Sequence, residues 1–301
     1  MVKQKLMHFK VSKSTWILFF SVAIGNFTWA NPHTDTSKKQ LTASVSNTEN
    51  ARFVTLEANV EYPEVLSGHE EYTMDYIEKF SVNRRAYLIR TYNRSKKYFP
   101  KVTAVLNKHN LPQELKVLLA LESAFNGNAV SRAGAVGYWQ IMDDVAREYG
   151  LKYVPKQNKA TKAKQLKHKG AKKTTVKAAN TRDDRKNFNK STYAAARYLK
   201  DRSKNLDDNL LLMVASYNWG IGNVWAAMKK TGKADPDFWD IKDQLPSETR
   251  SYVMNFIALN VIFHNYEKFE NNTLQFSPVK IKVDNPEAQM TGETTAAERL
   301  Q

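Results

Sequence analysis

Apolar residues recur at helical spacing in one segment after another, while the two-residue alternation of strands is nearly absent. That contrast confines the chain to a mainly helical architecture with little or no β structure. Tyr72, Tyr76, Ile77 and Phe80 fall on one helical face, within a segment over 51–99 that the pattern predicts to be helical and packed on a larger domain. Lys101 to His109 predicts a short helix. Asn110-Leu111-Pro112 then offers a polar cap and an early proline before the helix predicted over Gln113–Phe125, whose Leu115, Leu118, Leu119 and Phe125 build a buried side. Further helices are predicted over Tyr138–Tyr149, Ser191–Ser203, Leu210–Tyr217, Val224–Lys230 and Glu248–Tyr266. The clearest strand signal is the short VKIKV run at Val279–Val283, inside a polar tail over 269–301.

Two stretches stand outside this packing pattern. The first thirty residues place Lys3, Lys5, Lys10 and Lys13 before the apolar run Trp16–Phe27 and then Thr28-Trp29-Ala30. That order predicts a cleaved secretory signal, a mature start near Asn31 with a flexible Ser/Thr/Asn-rich leader over 31–50, and a periplasmic or secreted location. The chain has no cysteine, so no disulfide holds the exported fold and no lipid attaches through that residue. The second stretch is Lys156–Thr181, which has hardly an aromatic or β-branched anchor and is expected to be a mobile insertion.

The formal charge of +16 invites a nucleic-acid reading until it is located. Lys152–Lys190 carries fourteen Lys and Arg against only Asp183 and Asp184, a net +12. Setting aside the four leader lysines leaves that same +12 for the whole mature chain, so the remainder is close to neutral in sum. The insertion Lys156–Thr181 within that basic stretch has no aromatics and so lacks the stacking partners that nucleic-acid binding uses, and no nucleic-acid partner is expected. Electrostatic contact of the insertion with acidic cell-envelope polymers suits an exported protein better, against the simpler reading of a solvated loop.

Glu122 is the anomaly among the predicted helices. It sits in LLALESAF, with Leu118 and Leu119 on the preceding turn and Phe125 beyond. Burial there would disfavour the charged carboxylate and raise its pKa, as suits a general acid near neutrality. Taken alone, a glutamate beside an apolar stripe is more often a solvated surface residue. Its company decides otherwise: LESAFN from Leu121 with Ser131 after it, GAVGYWQIM from Gly134, ASYNWGIG from Ala215, and LPSETRSYV from Leu245.

These four blocks, in this order over roughly 100–262, resemble the family 1 lytic transglycosylases, whose catalytic domain has a goose-type lysozyme fold. Asp237-Phe238-Trp239 ahead of the last block looks most like the membrane-bound lytic murein transglycosylase D branch. The resemblance implies a catalytic domain over 100–268 that cleaves the glycan strands of peptidoglycan without water. It implies Glu122 as sole catalytic acid/base, and Ser123, Ser131, Gln140, Met142, Tyr217, Asn218 and Tyr252 as residues lining or contacting the substrate. Trp139 reads as core. The glycines of the blocks read as places where backbone approaches the glycan. No metal or cofactor is implied, and the six histidines show no ligand-like spacing. Hydrolysis by a goose-type lysozyme, and glycan binding without catalysis, are the competing readings. The chain departs from the family pattern at Tyr138 in place of leucine, Asp143 in place of proline and Trp219 in place of alanine, which bears on substrate preference.

Overall fold

The computed structural model describes residues 43–48, 51–153 and 182–283. The expected signal segment, most of the leader, the Lys156–Thr181 insertion and the tail from 284 lie outside the described residues. The mainly helical expectation is borne out. The described residues divide into two compact units, one within 84–260 and the other within 43–83 and 261–283.

In the second unit, strands β1 (Ala43–Thr48), β2 (Ala51–Leu56) and β3 (Val279–Val283) form an antiparallel sheet in the order β1-β2-β3. Val54 sits opposite both Val45 and Ile281. The strand expected at Val279–Val283 is present. The other two occupy sequence read as flexible leader and as helix. ASVSNT has only Ala43 and Val45 as apolar residues and ARFVTL is mixed, so neither gives a local strand signal; β2 pairs with β3 across more than two hundred residues, and β1 pairs with β2. Two asparagine amides join the segments beyond the sheet. Asn59 Nδ2 donates to the Thr273 carbonyl at 2.9 Å while its oxygen accepts from Gln275 N at 2.8 Å. Asn265 Nδ2 donates to Glu61 O at 2.6 Å and its oxygen accepts from Glu61 N at 3.0 Å. Helices α1 (Glu70–Asn83) and α11 (Tyr266–Glu270) also belong to this unit.

The first unit begins with α2 (Arg85–Ser95) and α3 (Phe99–Lys108), the latter with proline in its first turn, where a missing N–H costs nothing. The helix expected over Gln113–Phe125 forms as a tight 3-10 turn, Gln113–Val117, followed by α4, Leu118–Ser123. Leu115, Leu118 and Leu119 are fully buried, as their spacing required. Downstream come α5 (Asp143–Glu148), α6 (Phe188–Asn205), α7 (Leu210–Trp219), α8 (Ile221–Thr231), α9 (Phe238–Ile241) and α10 (Ser247–His264). Side chains cap several of them: Asn187 accepts from Lys190 N at 3.0 Å, and Asn209 from Leu212 N at 3.1 Å. Asp237 and Asp240 form a reciprocal capping box on α9. The buried run Leu212–Ala215 and the buried Val253, Phe256 and Ile257 supply core from the two helices whose ends carry the third and fourth blocks.

The helix expected over Tyr138–Tyr149 is reduced to Asp143–Glu148. Tyr138–Ile141 instead forms a turn in which Val136 and Ile141 exchange backbone hydrogen bonds at 3.1 and 3.0 Å. Gly137 and Gln140 have φ of 84° and 46°, which no helix accommodates.

Candidate active site

Glu122 lies one residue from the end of α4, and the backbone turns sharply just beyond it. Ala124 and Phe125 both take left-handed conformations, with φ of 48° and 64°. Two successive non-glycine residues in that region store strain, which persists only where surroundings enforce it. Here Arg94 Nη1 donates to the Ala124 carbonyl at 2.8 Å. Phe125 is buried and stacks on Tyr98, with ring centres 5.2 Å apart and planes at 13°.

Four side-chain hydrogen bonds join the four sequence blocks in a closed ring. Ser123 Oγ donates to the Tyr138 carbonyl at 2.7 Å, tying the first block to the second. Tyr217 Oη donates to the Trp139 carbonyl at 2.7 Å, tying the third to the second. Thr249 Oγ1 donates to Asn218 Oδ1 at 2.9 Å, tying the fourth to the third. Tyr252 Oη donates to the Glu122 carboxyl and closes the ring. Each bond spans residues distant in sequence, so the ring exists only when all four blocks are in place.

Glu122 retains partial exposure, but the surrounding protein desolvates its carboxyl and pushes its pKa up to about 7. The Tyr252 hydrogen bond opposes this shift by favouring the charged form. The phenols of Tyr252 and Tyr217 are raised in turn, first by burial and then by the nearby Glu122 charge, so both stay protonated as donors. A carboxyl poised near 7 can give a proton and take one back at neutral pH, which is what acid/base chemistry needs. Tyr252→Phe removes the one contact favouring the carboxylate. The pKa of Glu122 is then expected to rise further and the alkaline limb of the activity profile to move to higher pH. Activity is expected to fall about tenfold to a hundredfold as the carboxyl loses its orientation. A pH–rate profile of the variant checks both.

The other residues named from sequence divide into two kinds. Tyr217 and Asn218 are partly exposed beside Glu122's partners, and Met142 is half-buried where α5 begins. Ser123 and Gln140, by contrast, are buried. Ser123 is occupied by the Tyr138 carbonyl, and Gln140 Nε2 donates to Gly137 O at 2.9 Å and Ala129 O at 3.3 Å. Both are engaged with neighbouring backbone carbonyls. Ser131 Oγ accepts from Ala135 N at 3.0 Å and shapes its turn. Trp139 is core, with its indole N–H bonded to Thr192 Oγ1 at 3.0 Å. Gly220 and Gly222 have open space where a side chain would stand, whereas Gly137 backs onto the Arg185 carbonyl.

Sequence reasoning missed two contributors. Thr249 lies inside the fourth block yet carries no chemical signature of its own. Arg185 is fully buried, pairs with Asp143 at 2.5 Å and Asp183 at 2.8 Å, and donates to the Ile141 carbonyl at 3.3 Å. The aspartate that replaces proline at 143 thus has a partner, and the pair holds the end of the second block.

A family model described as the transglycosylase SLT domain matches residues 102–171 and 163–239. The matched stretch, 102–239, is similar to that domain and makes up a little under half of the chain. Within the first unit, the matched stretch carries Glu122 and the first three blocks. Over 191 residues the chain is 32% identical to membrane-bound lytic murein transglycosylase D of Escherichia coli strain K12, covering 62% of this chain and 36% of that protein. The same protein from strain CFT073 gives the same figures. This chain therefore spans little more than a third of the length of these relatives. Among solved structures, the 70 kDa soluble lytic transglycosylase of Escherichia coli has a TM-score of 0.43 at 18% identity, covering 68% of this chain and 31% of that one. An inactive mutant of lytic transglycosylase Slt from Pseudomonas aeruginosa has a TM-score of 0.40 at 18% identity, covering 72% and 38%.

Proposed function

We propose that this protein is a lytic transglycosylase of peptidoglycan, with a lysozyme-like catalytic domain over 100–268. It cleaves the β-1,4 bond between N-acetylmuramic acid and N-acetylglucosamine and leaves 1,6-anhydro ends. The observation that carries the reading is the environment of Glu122: a carboxyl raised to about 7 by burial, bonded to Tyr252, with no second carboxylate influencing it among the described residues. Two-carboxylate glycosidases need such a second group.

A single carboxyl suffices if the substrate supplies the rest. Glu122, protonated, donates its proton to the glycosidic oxygen as the bond to C1 of the muramic residue breaks. The substrate's 2-acetamido carbonyl stabilises the positive centre at C1. The carboxylate of Glu122 then takes the proton from the C6 hydroxyl, whose oxygen bonds to C1. Glu122 ends protonated, ready for another cycle, and no water is consumed. Tyr252 holds the carboxyl in place through both transfers, Tyr217 and Asn218 contact the sugar, and Met142 lines the groove. Ser123, Ser131 and Gln140 hold the backbone that forms its walls.

This reading places the protein in the periplasm or outside the cell, in accord with the predicted export signal. No helix among the described residues is long and apolar enough to cross a membrane. The test is digestion of purified peptidoglycan sacculi, with the products resolved by mass. Lytic cleavage gives muropeptides lighter by one water than their hydrolytic counterparts. Products of hydrolytic mass would reassign the protein to the lysozymes, and intact sacculi would make it a binding protein.

A further inference from the structure

The near-neutral sum outside the Lys-rich insertion conceals a segregation of charge. From Arg84 to Gln113 the sequence holds eight arginines and lysines and no Asp or Glu. Arg90, Arg94, Lys96 and Lys97 are exposed, and none forms an ion pair among the described residues. Arg90 and Arg94 are also four residues apart on α2, where like charges repel across one turn. Apart from the Arg94 contact with the Ala124 carbonyl and the Lys96 and Lys97 contacts with tyrosine rings, these four cations have no anionic complement among the described residues, so an anionic ligand is their natural counterpart.

The position of the strip decides which anion. Arg94 Nη1 is fixed on the carbonyl of Ala124, two residues beyond Glu122. One arm of the guanidinium is thereby anchored, and its Nε and Nη2 edge has no protein partner among the described residues. That edge is the fork that matches a carboxylate bidentately, and anchoring reduces the freedom lost on binding. Lys97 flanks the same turn: its ammonium lies 5.7 Å from the centre of the Tyr98 ring, which stacks on Phe125. The cations therefore border the backbone that carries the catalytic carboxyl. The segment presents no large exposed apolar side chain, which a membrane-inserting surface would use.

We propose that Arg94, supported by Arg90 and Lys97, binds the free carboxylates of the stem peptides borne by the muramic residues beside the scissile bond. The inference rests on the peptidoglycan reading above and assigns the substrate class to peptide-bearing strands. It is tested by comparing wild type with Arg94→Gln, and separately with the Arg90→Gln/Lys97→Gln pair, on glycan strands that carry stem peptides and on strands stripped of them by an amidase. For Arg94→Gln, KM on peptide-bearing strands is expected to rise about tenfold relative to KM on stripped strands, the scale of one charge-assisted pair. The double variant, which leaves the Ala124 contact intact, is expected to shift the same ratio about threefold. An equal loss on both substrates would mean that Arg94 only braces the Ala124 turn, and would overturn the proposal. An unchanged ratio in both variants would also overturn it, as would a loss of binding to anionic phospholipid vesicles without any change in ratio. Failure of the wild type to cut either substrate would instead defeat the peptidoglycan reading itself.

Discussion

Glu122→Gln is expected to lower the rate of muropeptide release by about a thousandfold, the scale of a general acid/base contribution, while leaving the fold intact. Glutamine keeps the size of the side chain and still offers an oxygen to the Tyr252 hydroxyl, so the ring of hydrogen bonds survives. Only the exchangeable proton is lost. The same substitution is expected to stabilise the protein in a pH-dependent way. The carboxyl titrates near 4.5 when unfolded and near 7 when folded. Below pH 4.5 the carboxyl is protonated in both states and costs nothing. As pH rises towards 7 the unfolded chain ionises first, and folded stability falls. Above 7 the folded protein carries a charge at a cost of at most about 3 kcal/mol, less where solvent reaches the carboxyl. Thermal melts of Glu122→Gln are therefore expected to exceed wild type at pH 8 and to converge with it at pH 4. Wild-type activity is expected to decline as pH rises through about 7, because the acid form is needed for the first transfer.

Gly137→Ala is expected to cost about 3–5 kcal/mol, through left-handed backbone strain and overpacking together. The residue has φ of 84°, and an added Cβ would stand 2.0 Å from the Arg185 carbonyl oxygen, a backbone atom that cannot swing aside. Relief requires moving the turn that carries Tyr138, Trp139 and Gln140, and with it the carbonyls that receive Ser123 and Tyr217. Activity is expected to fall with stability. Gly222→Ala is the contrast, since a side chain there meets open space and φ is not positive. It should leave the denaturation midpoint within about 1 kcal/mol of wild type. Urea denaturation of both variants measures the difference.

These two positions mark where sequence was informative and where it was not. Leu115, Leu118 and Leu119 announce their burial by spacing alone. Glu122 was legible as an anomaly because its neighbours are apolar. The turn at Tyr138–Ile141 was not legible, since its residues fit a helical pattern and the partner that reshapes it, Arg185, lies more than forty positions away. The same remoteness hid the structural use of Ser123 and Gln140, which a motif names without saying which way they point. Thr249 reaches Asn218 across thirty-one residues, a pairing that local chemistry does not encode. Strand Ala51–Leu56 was missed for a related reason, as one of its two partners is the distant Val279–Val283, and Ala43–Thr48 in turn pairs with Ala51–Leu56. Local chemistry fixes elements and candidate residues, and long-range packing decides which of those residues face the substrate.

In the proposed reaction one carboxyl, helped by the substrate itself, cleaves the strand without water. This is tested most directly by digesting sacculi with the wild-type protein in water enriched in heavy oxygen and weighing the newly formed muramic ends. Anhydro ends that carry no heavy oxygen are expected. Ends that carry it, at the mass of a reducing sugar, would show hydrolysis and rule out the one-carboxyl, water-free cleavage.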